Sequence, residues 1–162
     1  MSGAGRVVVG IASADGVAYG VRVLEALREA AAEIHLVMTQ ASETALGAEL
    51  ERVRSLADHV YAQENQAAPI SSGSFLTRGM VVVPCDGVGL AAIALGLATN
   101  LVFRAADVTL KERRPLVLGL VSSGSTAIEE EHLVRAAQVP GLHVVRLDGP
   151  VDDATDALLE QL

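Results

Sequence analysis

Four cations, Arg104, Lys111, Arg113 and Arg114, crowd into one short stretch of a chain whose formal net charge is −8. Cations gathered against the global charge suit an anionic ligand. Arg104 and Lys111 flank a mostly apolar turn, where burying a cation without an anion is costly, so a bound phosphate is the partner that chemistry suggests. Arg113 and Arg114 read more simply as the solvated end of a helix feeding a strand. Four further segments carry groups able to meet a ligand. Residues 10–16 follow a strand and open a helix with small side chains, Ser13 and Ala14 among them, so backbone amides can face an anion. Asp15 in that loop is either a site carboxylate or the N-cap of the helix, a position that favours Asp. Thr39 and Gln40 close a second strand and offer a hydroxyl. Ser71, Ser72 and Ser74 present hydroxyls before a third strand, or belong to a solvated loop. Cys85, Asp86, Gly87, Val88 and Gly89 make another strand-to-helix passage, or a plain turn. Cys85 after Pro84 fits a small buried hydrophobe. His35 in a strand, His59 at a helix end, and His132 and His143 late in the chain are read as structural or surface groups, and no metal is expected. Glu129, Glu130 and Glu131, like Asp152 and Asp153, suit the dipole at the head of a helix.

The elements that must carry these groups follow from the hydrophobic pattern. Short β-branched runs alternate with longer amphipathic or Ala-rich segments, the pattern of βαβ units. Strands are expected at 6–11, 34–38, 80–84, 116–121 and 143–147, and helices at 16–32, 41–57, 88–103, 127–137 and 152–161. The strand runs are nearly continuous in apolar residues, as for parallel strands covered on both faces. This predicts an α/β fold, a Rossmann-like doubly wound parallel sheet flanked by helices, in one domain over 1–162. Residues 62–74, rich in Gln, Ala, Ser and Gly, are expected to form a long functional loop. Hydrophobic residues make up 51% of the chain and aromatic ones 2%, so Val, Leu, Ile and Ala must build the core. So much aliphatic surface implies a homo-oligomer. A pI near 4.9 argues against nucleic acid as partner. The apolar run 88–102 is interrupted and short for a membrane span. Residues 1–5 lead into the first strand without a cleavage pattern, and the chain has a single cysteine. A cytoplasmic location is therefore expected.

The order of these segments resembles the UbiX flavin prenyltransferases. The likeness runs over residues 6–118 through Tyr19, Gly20 and Arg22, the strand from His35 to Met38, the Ser72, Gly73, Ser74, Phe75 run, Pro84 with Cys85, and the basic stretch from Arg104; it returns weakly at His132 and Leu133. The resemblance implies a domain that binds FMN at subunit interfaces, commonly in a dodecamer built from trimers. It also implies transfer of a dimethylallyl group from dimethylallyl phosphate to reduced FMN, making prenylated FMN for a UbiD-type decarboxylase. By position Ser13, Ala14 and Asp15 form the flavin loop, Thr39 replaces the usual Ser, and Asp86, Gly87, Val88 and Gly89 form the loop after the third strand, with Ser72 and Ser74 also at the cofactor. Glu49, Arg104 and Lys111 fall where the family has residues serving the flavin or prenyl-phosphate region, although Glu49 also fits a solvated helix face and Lys111 a surface charge.

Departures from the family pattern concern charge. Asp15 stands where the family has a hydroxyl close to the flavin, and Asp86 replaces the Ser of a Cys-Ser pair. Val121 and Ser122, followed by Ser123, Gly124 and Ser125, occupy the place of an Arg-Glu pair. The late Tyr-His-x-Pro segment has no counterpart around Leu147 to Pro150, and the sequence stops at Leu162 without the tail that often completes the site. A leaving phosphate must be held by cations and hydrogen-bond donors, each worth about 3 kcal/mol in the transition state, roughly a hundredfold in rate. The expectation is an FMN-binding flavoprotein with a remodelled site that acts through the flavin, with Asp15, Glu49 and Lys111 as candidate catalytic groups and Asp15 as an acid or base beside the ring. The alternatives are an active prenyltransferase and a non-catalytic flavin carrier. Motifs of the related cysteinyl-peptide decarboxylases are not recognisable.

Overall fold

Valine-rich runs flanked by amphipathic helices fold as a parallel sheet because only cover on both faces hides side chains pointing alternately up and down. The computed structural model of the chain describes residues 5–122 and 124–162; the opening run 1–4, read above for a cleavage pattern, and Ser123 of the hydroxyl-rich loop lie outside the described residues. Six strands, β1 (Arg6–Ile11), β2 (Glu33–Met38), β3 (His59–Ala62), β4 (Gly79–Cys85), β5 (Leu116–Leu120) and β6 (Leu142–Arg146), pair in parallel in the order β3-β2-β1-β4-β5-β6. The helices are α1 (Val17–Glu29), α2 (Gln40–Leu46), α3 (Leu50–Ser55), α4 (Gly87–Leu95), α5 (Leu101–Lys111), α6 (Ala127–Ala137) and α7 (Val151–Glu160). Along β1 the period of two is explicit: Val7, Val9 and Ile11 join one core with Val23, Leu24 and Leu158, whereas Val8 joins the other with Leu101, Val102 and Ala105. Among the described residues, no helix is long and apolar enough to cross a membrane.

The doubly wound sheet stands as expected, with one more strand. β3 is a four-residue edge strand whose His59 and Val60 are exposed, so its sequence lacks the continuous apolar run that marks the others. His59 therefore lies in a strand and not at a helix end. Two long helices are each divided. Gly47, at φ 52, ends α2, and a 3-10 turn over Gly47–Glu49 leads into α3. Gly96, at φ 69, closes α4, and Asn100 caps α5 by accepting a hydrogen bond from the Phe103 amide at 3.1 Å; a left-handed C-terminal glycine and an Asn N-cap are ordinary helix punctuation. Helix α5 then continues to Lys111. The stretch between Arg104 and Lys111 is thus a helix and not an apolar turn, and both cations are exposed, so neither needs an anion to compensate burial.

Arg114 is not a solvated helix end. Its Nη1 donates to the Phe75 carbonyl at 2.9 Å and its Nη2 to the Gly73 carbonyl at 2.8 Å, fastening the segment before β4 to the entrance of β5. Arg113, at φ 57, is exposed and turns the chain out of α5. The segment read as a long loop is partly structured: Pro69–Ser71 forms a 3-10 turn, with Ala68 and Ile70 buried beneath α5. Cys85 is a buried free thiol, and burial, reinforced by the Asp86 carboxylate, pushes its pKa well up. It serves as a small hydrophobe. Buried polar groups are few; His35 is one, with burial pushing its imidazole pKa down against the opposing pull of Glu33.

Helix α1 approaches β4 so closely that a Cβ on Gly20 would lie 2.6 Å from the Val83 carbonyl oxygen and 3.1 Å from Ile11 Cδ1. Backbone cannot yield as a flexible side chain does. Gly20→Ala is expected to destabilise the protein by about 1–3 kcal/mol, read as a lower urea midpoint with unchanged slope; an unchanged midpoint would show that α1 can shift freely.

Candidate functional site

In a sheet of this order the chain turns one way from β1 and the other way from β4, which leaves a crevice beyond their carboxyl ends. The passages after β1, β4 and β5 meet there around a cleft of about 310 Å³ lined by Asp15, Asp86, Gly87, Val121, Ser122 and Glu129. The N-termini of α1 and α4 open at the same edge, bringing first-turn amides that have no partner inside the helix.

The loop after β1 is fixed from below. Ala12 N–H donates to the Pro84 carbonyl at 3.1 Å, tying it to β4. Buried Ser13 accepts the Asp15 amide on Oγ at 3.2 Å. Ser42, fully buried, donates from Oγ to the Ile11 carbonyl at 2.9 Å, and the Thr39 hydroxyl lies 2.8 Å from the Ser42 Oγ. Thr39 is also the N-cap of α2, accepting the Ser42 amide at 3.3 Å. Its hydroxyl is therefore engaged inside the scaffold. Ser42 is a positioning residue absent from the sequence reading; its one legible sign is its place three residues after a capping Thr. The N-cap of α1 is Gly16, at φ 81 and without a side-chain cap bond, so Asp15 does not cap the helix. Glycine is required at residue 16 on two counts: the left-handed conformation, and Val121 Cγ1 lying 2.9 Å from where a Cβ would be. Asp15 is left exposed on the cleft wall.

Asp86 caps α4, Oδ1 accepting the Gly89 amide at 2.9 Å. Gly89 is buried over the Cys85 sulfur, whereas the Val88 side chain stands 76% exposed. Opposite, Ser122 donates to Glu129 Oε1 at 2.8 Å, and Thr126 caps α6 by accepting the Glu129 amide at 3.1 Å. Glu129 Oε2 comes so close to Gly87 that a Cβ there would sit 2.9 Å away. Glu129 is more than a dipole partner of its helix: it forms the third carboxylate of the cleft beside Asp15 and Asp86, and no Lys or Arg lines the cavity among the described residues. Its convergence with Ser122 arises from a loop between β5 and α6 and has no linear signature.

The remaining candidates lie elsewhere. Glu49 pairs with Arg52 at 2.9 Å on the outer surface, where Arg52 also reaches Glu25 at 3.3 Å. Arg104, 44% exposed, stands 3.9 Å from Asp107 in α5, and Lys111 is exposed at that helix's far end, beside Gly141 at the entrance to β6. Ser72 and Ser74, whose hydroxyls are 2.9 Å apart, belong to the segment held by Arg114 at the amino edge of the sheet. One chain thus gathers Ser13, Ala14, Asp15, Asp86 and Gly87 at one edge and leaves Glu49, Ser72, Ser74, Arg104 and Lys111 outside the cleft.

Comparison with known proteins places this geometry. A family model described as Flavoprotein matches residues 1–155. The flavin prenyltransferase UbiX of Escherichia coli strain K12 is 49% identical over 118 residues, covering 70% of this chain and 62% of that protein, so the chain spans less than two thirds of this relative's length. The crystal structure of AnUbiX in complex with FMN and dimethylallyl pyrophosphate superposes with a TM-score of 0.87 at 35% identity, over 96% of this chain and 90% of the other. A dodecameric FMN-dependent UbiX-like decarboxylase from Escherichia coli O157:H7 gives 0.89 at 37% identity, over 96% and 93%.

Two substitutions separate scaffold from cleft. Ser42→Ala removes the hydroxyl that bonds the Ile11 and Ser13 carbonyls and the Thr39 hydroxyl, leaving the Ile11 carbonyl only the Thr39 amide, and is expected to cost about 1–3 kcal/mol. Asp86→Ala removes only a cap and is expected to cost about 1 kcal/mol, with Asp86→Ser recovering most of it. Thermal unfolding of the three variants checks the ranking; equal losses for Asp86→Ala and Asp86→Ser would show that the carboxylate is not acting as a cap.

Proposed function

The chain belongs to the flavoprotein family, in its UbiX-like branch, and from that premise we propose that it binds FMN at the carboxyl edge of the sheet and acts through the bound flavin rather than by standard prenyl transfer. The observation that carries this reading is the cleft wall of Asp15, Asp86, Ser122 and Glu129, with no cation among the described residues that line it. The scaffold suits a flavin mononucleotide: the Ala14 backbone and the Gly87 and Val88 amides at the head of α4 face the cleft edge, the Asp15 and Gly89 amides being held by Ser13 and Asp86, and the small residues Gly16 and Gly87 leave room for close approach. Bound FMN would supply the redox and nucleophilic chemistry of its ring. The chain's own groups then orient and exchange protons. The Asp15 carboxylate can hold a proton at the cleft wall, and Ser122 holds Glu129 against Gly87. Three carboxylates oppose the negative charge that develops on a departing phosphate, which is where a prenyl-phosphate reaction most needs cations.

The reading includes one flavin-binding domain over 1–162 and a homo-oligomer, trimeric or dodecameric, in the cytoplasm. Support comes from Ser72 and Ser74 at the amino edge and Lys111 at the far end of α5, which lie away from the cleft and could meet a flavin held by a neighbouring copy. It also comes from exposed aliphatic side chains on α4 and α6, Val88 at 76%, Ile128 at 66% and Val134 at 61%, and from the dodecamer of the O157:H7 relative. A second reading is favoured by the 49% identity to the strain K12 enzyme and by the presence of Glu49, Arg104 and Lys111. In it the protein is an active flavin prenyltransferase, drawing cations from neighbouring subunits to use dimethylallyl phosphate and supplying prenylated FMN to a UbiD-type decarboxylase.

Anaerobic incubation with reduced FMN and dimethylallyl phosphate, followed by mass analysis of the released flavin, distinguishes the two. Unmodified FMN near one equivalent per chain is the expected result. A prenylated mass would establish the second reading, and absence of flavin would remove the cofactor assignment. Asp15→Ser is expected to retain FMN while changing its rate of reduction; unaltered spectra and reduction would exclude Asp15 from the chemistry and leave flavin carriage as the role.

A further inference from the structure

We propose that Glu33, His35 and His59 form a binding site for a divalent transition-metal ion of the Zn²⁺ class on one face of β2 and β3, at the amino end of the sheet and apart from the cleft. The strand period places Glu33 and His35 on the same face two residues apart. The parallel register sets His59 beside His35. Glu33 Oε1 lies 2.9 Å from His35 Nε2 and 3.8 Å from His59 Nε2, and the three potential ligand atoms fall within 4.8 Å of one another. Linear spacing hides this, because Glu33 and His35 stand far from His59 in sequence and meet only through an edge strand.

Two imidazoles and a carboxylate form a donor set suited to Zn²⁺, Ni²⁺ or Cu²⁺ and poorly suited to Mg²⁺ or Ca²⁺. Tetrahedral zinc with ligands at about 2.0–2.1 Å places them about 3.3 Å apart, between the two separations seen to Glu33. Closing on an ion falls mainly to His59. Its ring now stacks on His35 at 4.6 Å between centroids, but its side chain is 53% exposed and free to turn. His35 is fixed: it is 2% exposed, its Nδ1 lies 2.9 Å from the Tyr61 hydroxyl, and Phe75 meets its ring edge-on at 5.0 Å. A partner on the second ring nitrogen is the usual support of a metal-bound imidazole. Without an ion, Tyr61 O–H donates to Nδ1 and Nε2–H donates to Glu33. With an ion on Nε2, the imidazole proton resides on Nδ1 and the Tyr61 oxygen accepts it, so one proton changes place within the ring and none is lost. Arg6, whose Nε donates to Glu33 Oε1 at 3.2 Å, would yield that oxygen and keep its seat over the Phe75 ring at 4.6 Å. Three protein ligands leave a fourth position for water on the exposed His59 side.

The full chain, stripped with chelator and titrated with Co²⁺, is expected to take up one equivalent with the visible d–d absorption of a low-coordinate site and to lose the band on adding Zn²⁺. His59→Ala, at an exposed side chain, is expected to weaken uptake at least tenfold, Tyr61→Phe about 10–100-fold as an outer-shell loss, and His143→Ala not at all. Flavin content measured on the same samples should not change, which separates this proposal from the cofactor assignment. No cobalt band, or affinity in His59→Ala within twofold of the parent, would overturn the site and leave a hydrogen-bonded cluster only.

Discussion

Burial of the central strands on both faces is the constraint from which the cleft follows. β1 and β4 are hydrogen-bonded on both sides and carry side chains such as Val9, Ile11, Val81, Val82 and Val83 that are essentially inaccessible to water. Polar atoms can be placed only where such strands stop, because an unpaired polar group inside that layer costs several times what a hydrogen bond contributes. The passages after β1, β4 and β5 are therefore the first points at which Ser13, Asp15, Asp86 and Ser122 can appear, and the reversal of strand order brings them to one place.

Within those passages, capping and chemistry are assigned to different residues than the sequence order implies. Asp86 serves largely a helix terminus and Thr39 another, while Gly16 takes the capping position one residue beyond Asp15. The outcome is that the Asp15 side chain stands exposed at the cleft, without a hydrogen-bond partner among the described residues. Glu129 reaches the same space from α6 through its hydrogen bond to Ser122. The electrostatic character of the cavity is thus set by three helices that start around it, with acidic groups favoured at each start by the helix dipole.

Legibility of the fold in the sequence tracked hydrophobic continuity. β1, β2, β4 and β5 are legible because their residues are almost all buried, and the edge strand β6 because its Leu142, Val144 and Val145 still form an apolar run although only Leu142 is buried; β3 has no such run, with His59, Val60 and Ala62 exposed at the opposite edge. The two overlong helices are divided at Gly47 and Gly96, both at positive φ; a glycine in an apolar run does not by itself mark a break, since Gly20 sits inside α1, where its packing on β4 requires it. At the site, loops that follow strands were legible as loops. Convergence was not: Ser42 under the first loop, Glu129 across the cleft and Arg114 on the Gly73 and Phe75 carbonyls all join residues brought together only by folding. The basic stretch divides between the exposed Arg104 and Lys111 of α5 and the structural clasp of Arg114, a division its linear run of charge does not show.

That clasp governs how the amino edge opens. The segment 72–75 is joined to the start of β5 by a single planar guanidinium that satisfies two of its carbonyls at once. Both carbonyls therefore lose their partner together when that one side chain leaves, and Phe75, packed on the core and under Arg6, is loosened with the rest of the segment. Its amides should accordingly exchange with solvent as one cooperative group, at a free energy below that of global unfolding, giving the sheet a discrete unit of local opening at the end opposite its cleft.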